Sequence, residues 1–161
     1  MKIAVICSHG GHLDEALAVL EAFQGHEIFL VSYDAAVMGN RNLQNFTHPS
    51  IFKTYRIKIR GVSNFGTYVT LVEASLRFLL IFLKEQPKIV FSTGSEIAIP
   101  AFLLGKYLFR ARLIFLETAT RVFEPSLTGK VLYPITDLFL VQWEALLSKM
   151  GPKARFHGGI F

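Results

Sequence analysis

At 161 residues, with 52% apolar side chains and 15 phenylalanines, the chain is long enough to bury one sizeable core and too short for two domains of ordinary size. A single cysteine excludes an internal disulfide, and the longest run without Asp, Glu, Lys or Arg is 12 residues, Gly61 to Val72, against the roughly 20 that a bilayer-spanning helix needs. The net charge of +5 and the mean hydropathy of +0.41 point to anionic or phosphorylated partners and to apolar surface left over for a membrane or another protein.

The chain opens on Lys2-Ile3-Ala4-Val5-Ile6, a β-branched apolar run that reads as a buried parallel strand. Cys7-Ser8-His9-Gly10-Gly11-His12 comes next, and Leu13, Ala16, Leu17, Leu20 and Phe23 then recur at the spacing of one helix face. Strand, glycine turn and helix in this order aim unpaired N–H groups at whatever sits there, and a phosphate is the natural guest. The turn is neither the dinucleotide fingerprint nor a Walker loop, since Gly105-Lys106 and Gly129-Lys130 both lack the required flanking residues. Equally, it reads as a tight connection without a ligand. Cys7, at the strand end, reads as a small core residue.

Glu27–Tyr33 is a second buried strand, 34–49 a polar loop, and Ile51–Ile59 a third strand that alternates with Lys53, Arg56, Lys58 and Arg60. That alternation suits an anionic partner or an edge protected by charge. Phe65–Leu83 is a long helix whose apolar face is expected to run through Val69, Leu71, Val72, Leu76, Leu79, Leu80 and Leu83. Lys88–Ser92 is a strand, Ile97–Phe109 a helix with Pro100 in its first turn, and Arg112–Leu116 a strand ending at Glu117. A loop to Pro125, a short helix 126–133, a strand Asp137–Val141, a helix Gln142–Lys149 and a last strand Ala154–Phe156 complete the chain.

Strands alternating with helices predict an α/β fold with a parallel sheet, whose ligands gather beyond the carboxyl ends of the strands. The stretch after each buried strand is polar: Ser8 to His12, Thr93-Gly94-Ser95-Glu96, Glu117-Thr118-Ala119-Thr120-Arg121 and Gln142-Trp143-Glu144. These stretches are expected on one rim. There His12 is a candidate base or phosphate donor, or a cap without chemistry. Thr93-Gly94-Ser95 offers donors to a phosphate or caps its helix. Glu117 comes after an apolar run, which predicts a desolvated carboxyl acting as a base, or a structural pair with Arg121. Arg121 suits a phosphate clamp, Trp143 a sugar platform or plain packing, and Lys130 an anion or solvent. His9 and His12 have no third ligand at a useful spacing, so no metal is expected.

Taken together, Ile6 to His12, Ser92 to Ser95, Phe115 to Val122, Ser126 to Lys130, Asp137 to Trp143 and Gly158-Gly159-Ile160-Phe161 resemble the acceptor-side subunits of two-component glycosyltransferases. That family includes PssD-like capsule and exopolysaccharide subunits and the membrane-recruiting subunit of the dolichol-pathway N-acetylglucosaminyltransferase. The resemblance spans nearly the whole chain. It implies a single domain over 1–161, a Rossmann-like sheet forming the amino-terminal half of a GT-B enzyme. A small separate subunit resembling the other half would hold the UDP-sugar, so no cofactor is expected on this chain. Gly158, Gly159, Ile160 and Phe161 would dock on that partner. The glycine turn is similar to the diphosphate-facing loop of MurG-type enzymes. By that likeness Ser8, His9, Gly10, Gly11, Thr93, Gly94, Ser95 and Arg121 would hold the phosphates of a lipid-diphosphate-linked sugar, with His12 or Glu117 as base. Eukaryotic members carry an amino-terminal membrane helix and this chain begins at its first strand. The expectation is therefore a bacterial-type protein, cytoplasmic and peripheral at the inner face of the membrane, touching it through the Phe65–Leu83 helix or the Lys53–Arg60 strand. No nucleic-acid partner is expected. The rival readings are a scaffold that recruits a catalytic partner to the membrane, and a stand-alone flavodoxin-like nucleotide-binding protein.

Overall fold

A computed structural model describes residues 1–34, 48–58 and 64–160. The strands are β1 (Lys2–Ile6), β2 (Glu27–Tyr33), β3 (Ile51–Ile57), β4 (Ile89–Ser92), β5 (Arg112–Leu116), β6 (Leu138–Val141) and β7 (Ala154–Phe156). They form one 7-stranded parallel sheet in the order β3-β2-β1-β4-β5-β6-β7. The order reverses between β1 and β4, so the loops after these two strands diverge and leave a crevice between them. The helices are α1 (Gly11–Ala18), α2 (Asn64–Glu85), α3 (Ala98–Tyr107), α4 (Leu127–Leu132) and α5 (Leu147–Met150). Buried residues of α1 pack with one face of the sheet, and those of α2 and α3 with the other.

The central strands are apolar on both faces because helices cover both, which gives the continuous runs seen in the sequence. Phe29, Phe78, Phe82, Phe91, Phe102, Phe115 and Phe139 are fully buried, and Phe115 stacks on Phe139 with centroids 5.0 Å apart. Gly105 lets α3 lie close to the sheet: a Cβ there would stand 3.0 Å from a Val90 methyl and 3.3 Å from one of Leu113.

Several elements differ from the sequence expectation. The first helix stops at Ala18, and Leu20–Phe23 tighten into a 3-10 turn that brings Phe23 onto Phe91 at 5.2 Å. The helix expected over 142–149 begins later. Trp143 is extended, a 3-10 turn spans Glu144–Leu146, and α5 is one turn long. The cause is that Gln142 is drawn into the interior by hydrogen bonds to the backbone of Glu117 and Ile160. On α2 the buried stripe is Ala74, Phe78, Ile81 and Phe82, while Val72, Leu76, Leu80 and Leu83 point outward. The large rings claim the core side, where they bury the most area. The strand read as reaching Ile59 ends at Ile57, and it is indeed an edge strand. Arg60 and almost all of the 34–49 loop lie outside the described residues.

That edge is pinned by Glu85, the last residue of α2, which is buried. Lys2 Nζ donates to it at 2.8 Å and Lys53 Nζ at 3.2 Å, and the Tyr55 hydroxyl donates to the same carboxylate. Burial alone would raise the Glu85 pKa, but these donors together hold it down to about 2, below its ordinary 4.5. A carboxyl depressed in the folded state stabilises the fold above its unfolded pKa, and that contribution fades as pH falls from about 4.5 to about 2. Glu85→Gln should therefore lower Tm most near neutral pH, with the gap from the parent protein closing as melting is repeated toward pH ~2. A gap that stays constant with pH would show that Glu85 does not act through its charge.

Candidate functional site at the switch-point rim

The glycine turn leaves β1 at the crevice. Gly10 has φ +78°, a conformation that suits glycine, and its carbonyl accepts from the N–H groups of Leu13 at 2.8 Å and Asp14 at 3.1 Å to start α1. No side chain caps that helix start, and a Cβ at Gly10 or Gly11 would meet nothing within 4 Å. The turn is therefore open, with Gly10 and Gly11 exposed at the start of the helix. Ser8 and His9 are half-buried, and the His9 ring bonds through Nε2 to the Tyr33 carbonyl at the end of β2.

Across the crevice, the loop after β4 meets this turn directly. A Cβ on Gly94 (φ +128°) would lie 2.7 Å from His12 Cε1 and 3.0 Å from Nδ1, so the imidazole occupies the place of a missing side chain. Ser95 takes φ +75°, strained backbone for a non-glycine residue. Its hydroxyl donates to one oxygen of Glu96 at 2.9 Å, and the Tyr33 hydroxyl donates to the other at 2.7 Å. Burial pushes the Glu96 carboxyl up, but Tyr33, a backbone N–H and Ser95 outweigh it and leave its pKa below the ordinary value. Thr93 departs from the expectation of a phosphate donor. It is fully buried, and its hydroxyl is spent on the His12 carbonyl at 2.6 Å.

Glu117 is desolvated as expected, with its pKa raised by burial, but it is not placed as an accessible base. It is 0% exposed, with one oxygen accepting from the Thr118 N–H at 3.1 Å and the other from the Ser126 N–H at 3.0 Å and hydroxyl at 3.1 Å. A Cβ on Gly129 would strike that second oxygen at 2.3 Å. Burial raises its pKa, while Ser126, Thr118 and the charge of Arg121 pull the other way. The carboxyl thus binds the β5 loop to the start of α4 and has no face open to a substrate. Arg121 is exposed in the next turn, where its N–H donates to the Thr118 carbonyl at 3.0 Å.

A residue that sequence reasoning passed over stands beside His12. Glu15, only 3% exposed, accepts through Oε1 from the Thr118 hydroxyl at 2.8 Å and the Ala119 N–H at 2.7 Å. Its other oxygen lies 3.9 Å from His12 Nδ1. Burial pushes the Glu15 carboxyl up, yet the neighbouring imidazole, Ala119 and Thr118 bring it below the ordinary value. His12 Nδ1, Glu15 Oε2, His9 Nδ1 and Ser32 Oγ are the buried side-chain polar atoms without a hydrogen-bond partner among the described residues. The signal available in the sequence was the i, i+3 spacing of His12 and Glu15, which puts both on one side of α1.

The rim continues to β6 and the tail. Gln142 donates to the Glu117 carbonyl at 3.1 Å and accepts from the Ile160 N–H at 3.1 Å, and the partly exposed Trp143 donates to the Ala119 carbonyl at 2.7 Å. Gly158 and Ile160 border an apolar groove of about 310 Å³ between the 3-10 turn and β5–β6, lined by Phe23, Ile114, Leu138 and Leu140 among others. Phe161 lies outside the described residues. The larger cavity, about 480 Å³, sits at the opposite end of the strands beside Gly25, His26 and Ser50, away from the glycine turn, Glu15 and Glu117. Cys7 is buried, which pushes its thiol pKa up to about 12 and makes it inert. No group of three or more potential metal-ligating His, Cys, Asp or Glu occurs among the described residues.

The chain as a whole is similar to known proteins. A family model described as "Oligosaccharide biosynthesis protein Alg14 like" matches residues 3–160. The human UDP-N-acetylglucosamine transferase subunit ALG14 is 34% identical, with 99% of this chain and 83% of the human protein covered. The Saccharomyces cerevisiae protein of the same name is 27% identical, with 98% and 76% covered. Among solved structures, MurG of Acinetobacter baumannii superposes with a TM-score of 0.75 at 19% identity, and a UDP-GlcNAc 2-epimerase of Methanocaldococcus jannaschii with 0.68 at 14%. Each covers 99% of this chain, which spans only 46% of either. These likenesses identify the fold as the Rossmann-like sheet of one half of a GT-B protein, and, with the match running over almost its full length, the chain belongs to the Alg14 family of oligosaccharide-biosynthesis proteins.

Proposed function

We propose that this chain is the acceptor-binding subunit of a two-subunit inverting glycosyltransferase that moves a sugar, by its relatives' names N-acetylglucosamine, from a UDP-sugar to a lipid-diphosphate-linked sugar. The observation that carries this reading is the open glycine turn at the switch point, with His12 seated over Gly94 beside it. The acceptor's phosphates would lie against the first-turn amides of α1, near Ser8, Ser95 and Arg121. The acceptor hydroxyl attacks the anomeric carbon, the bond from that carbon to the UDP oxygen breaks, and His12 takes the hydroxyl proton. Direct displacement inverts the centre. His12 is preferred to Glu117 as base because its side chain is 29% exposed, whereas Glu117 is sealed in.

A donor-binding partner would complete the site, seated on the tail at Gly158–Ile160 and the apolar groove beside it. The membrane would be met by the outer side of α2 and α3. Val72, Leu76, Leu80, Leu103, Tyr107 and Leu108 are exposed there, with Lys84 and Arg110 exposed nearby. No helix among the described residues is long and apolar enough to cross a membrane; contact through this exposed apolar surface would be interfacial, on the cytoplasmic side.

In a transferase reconstituted from this chain and its partner, His12→Ala should lower kcat about 10²–10⁴-fold with little change in the acceptor KM. Glu117→Gln should instead lower Tm, with kcat of the folded protein within about fivefold. Full transfer by His12→Ala would favour the scaffold reading. For the membrane surface, the Leu76→Glu/Leu80→Glu pair should cut cosedimentation with anionic vesicles by about tenfold or more while leaving transfer to a water-soluble acceptor intact. Unchanged sedimentation would remove α2 from the membrane contact.

A further inference from the structure

Resting on the reading of His12 as the base, we infer that Glu15 is its positioning residue, fixing which ring nitrogen carries the proton. The pair is built for this. Glu15 Oε1 is anchored to the loop after β5 by Thr118 and Ala119, which leaves Oε2 as the carboxylate's only uncommitted oxygen. That oxygen and His12 Nδ1 are both buried and without hydrogen-bond partners, and they lie 3.9 Å apart. An ionised carboxylate only accepts, so Nδ1 must be the nitrogen that bears hydrogen when the gap closes to hydrogen-bond length. The Nε2 lone pair is then the one left for the acceptor hydroxyl. The ring is held from below by the bare Gly94 backbone, and the His12 main chain by Thr93. Glu15 thus ties the base on α1 to the β5 loop, across 103 residues of sequence.

The test is Glu15→Gln in the reconstituted two-subunit transferase. The amide oxygen can keep the Thr118 and Ala119 bonds, but the amide N–H₂ now faces Nδ1, which must accept. The proton moves to Nε2 and the base is blocked. The expected result is a fall in kcat of about tenfold or more with the acceptor KM unchanged. The His12→Ala/Glu15→Gln double variant should be no slower than His12→Ala, within about twofold. ¹⁵N NMR of the histidine rings, at a pH where His12 is neutral, should show the Nδ1–H form in the parent protein and the Nε2–H form in the variant. Losses that multiply in the double variant would overturn the inference, as would an Nε2–H ring in the parent. The parent spectrum needs no variant, so it decides the matter even if Glu15→Gln fails to fold. Full transfer by His12→Ala would overturn the base reading instead, while the tautomer measurement still reports on Glu15.

Discussion

The contact of the His12 imidazole with the backbone of Gly94 is the constraint around which the rim is arranged. The nearest ring atom stands 2.7 Å from where a Cβ on Gly94 would be, closer than a real Cβ tolerates. Only a residue without a side chain fits opposite it. This contact exists because the strand order reverses between β1 and β4, so two loops 81 residues apart in sequence meet at one point. Thr93 reinforces it from beneath by bonding the His12 carbonyl. The turn, its helix and the crevice are therefore set relative to each other by backbone geometry.

Buried carboxylates supply the remaining order. Glu15 joins α1 to the β5 loop, Glu117 joins that loop to α4, and Glu85 joins α2 to the sheet edge. Glu96 at the rim is held by Tyr33 from the end of β2. Each carboxyl is costly to bury alone, and each is offset by donors from a different part of the chain. Glu117 shows where this logic stops serving chemistry. Its raised pKa is what a catalytic acid or base would need, but the Ser126 and Thr118 donors that tolerate it there also close it off.

The outer surface obeys a different rule. Polar groups gather at the carboxyl ends of the strands, and most of the exposed leucines lie on α2 and α3, while Phe123 is exposed between β5 and α4, Leu127 at the start of α4 and Leu138 on β6. The apolar groove by the tail lies on the other face of the sheet, next to the 3-10 turn. Membrane and partner would thus address separate faces, with the reactive rim between them.

Much of this was written locally. Continuous apolar runs marked the strands, and alternation with helices marked a parallel sheet, because strands covered on both faces have no polar side to show. The glycine pair between Ile6 and Leu13 marked the turn, and the polar stretches after each strand marked the rim. What the sequence left open depended on contacts between distant segments. Nothing near Thr93 or Gln142 told that their polar atoms would turn inward, and the apolar run before Glu117 told of its burial but not of the partners that close it off, because His12, Ser126 and Ile160 arrive only with the fold. Nor did the helical spacing of α2 tell which of its two apolar stripes would be buried; the packing of Phe78 and Phe82 against the sheet chose. Local spacing by itself determined the elements, their order and the residue types at the rim. Tertiary structure alone decided which of those residues stay exposed and which turn inward, since exposure and hydrogen-bond partnership belong to the packed chain and not to any one segment.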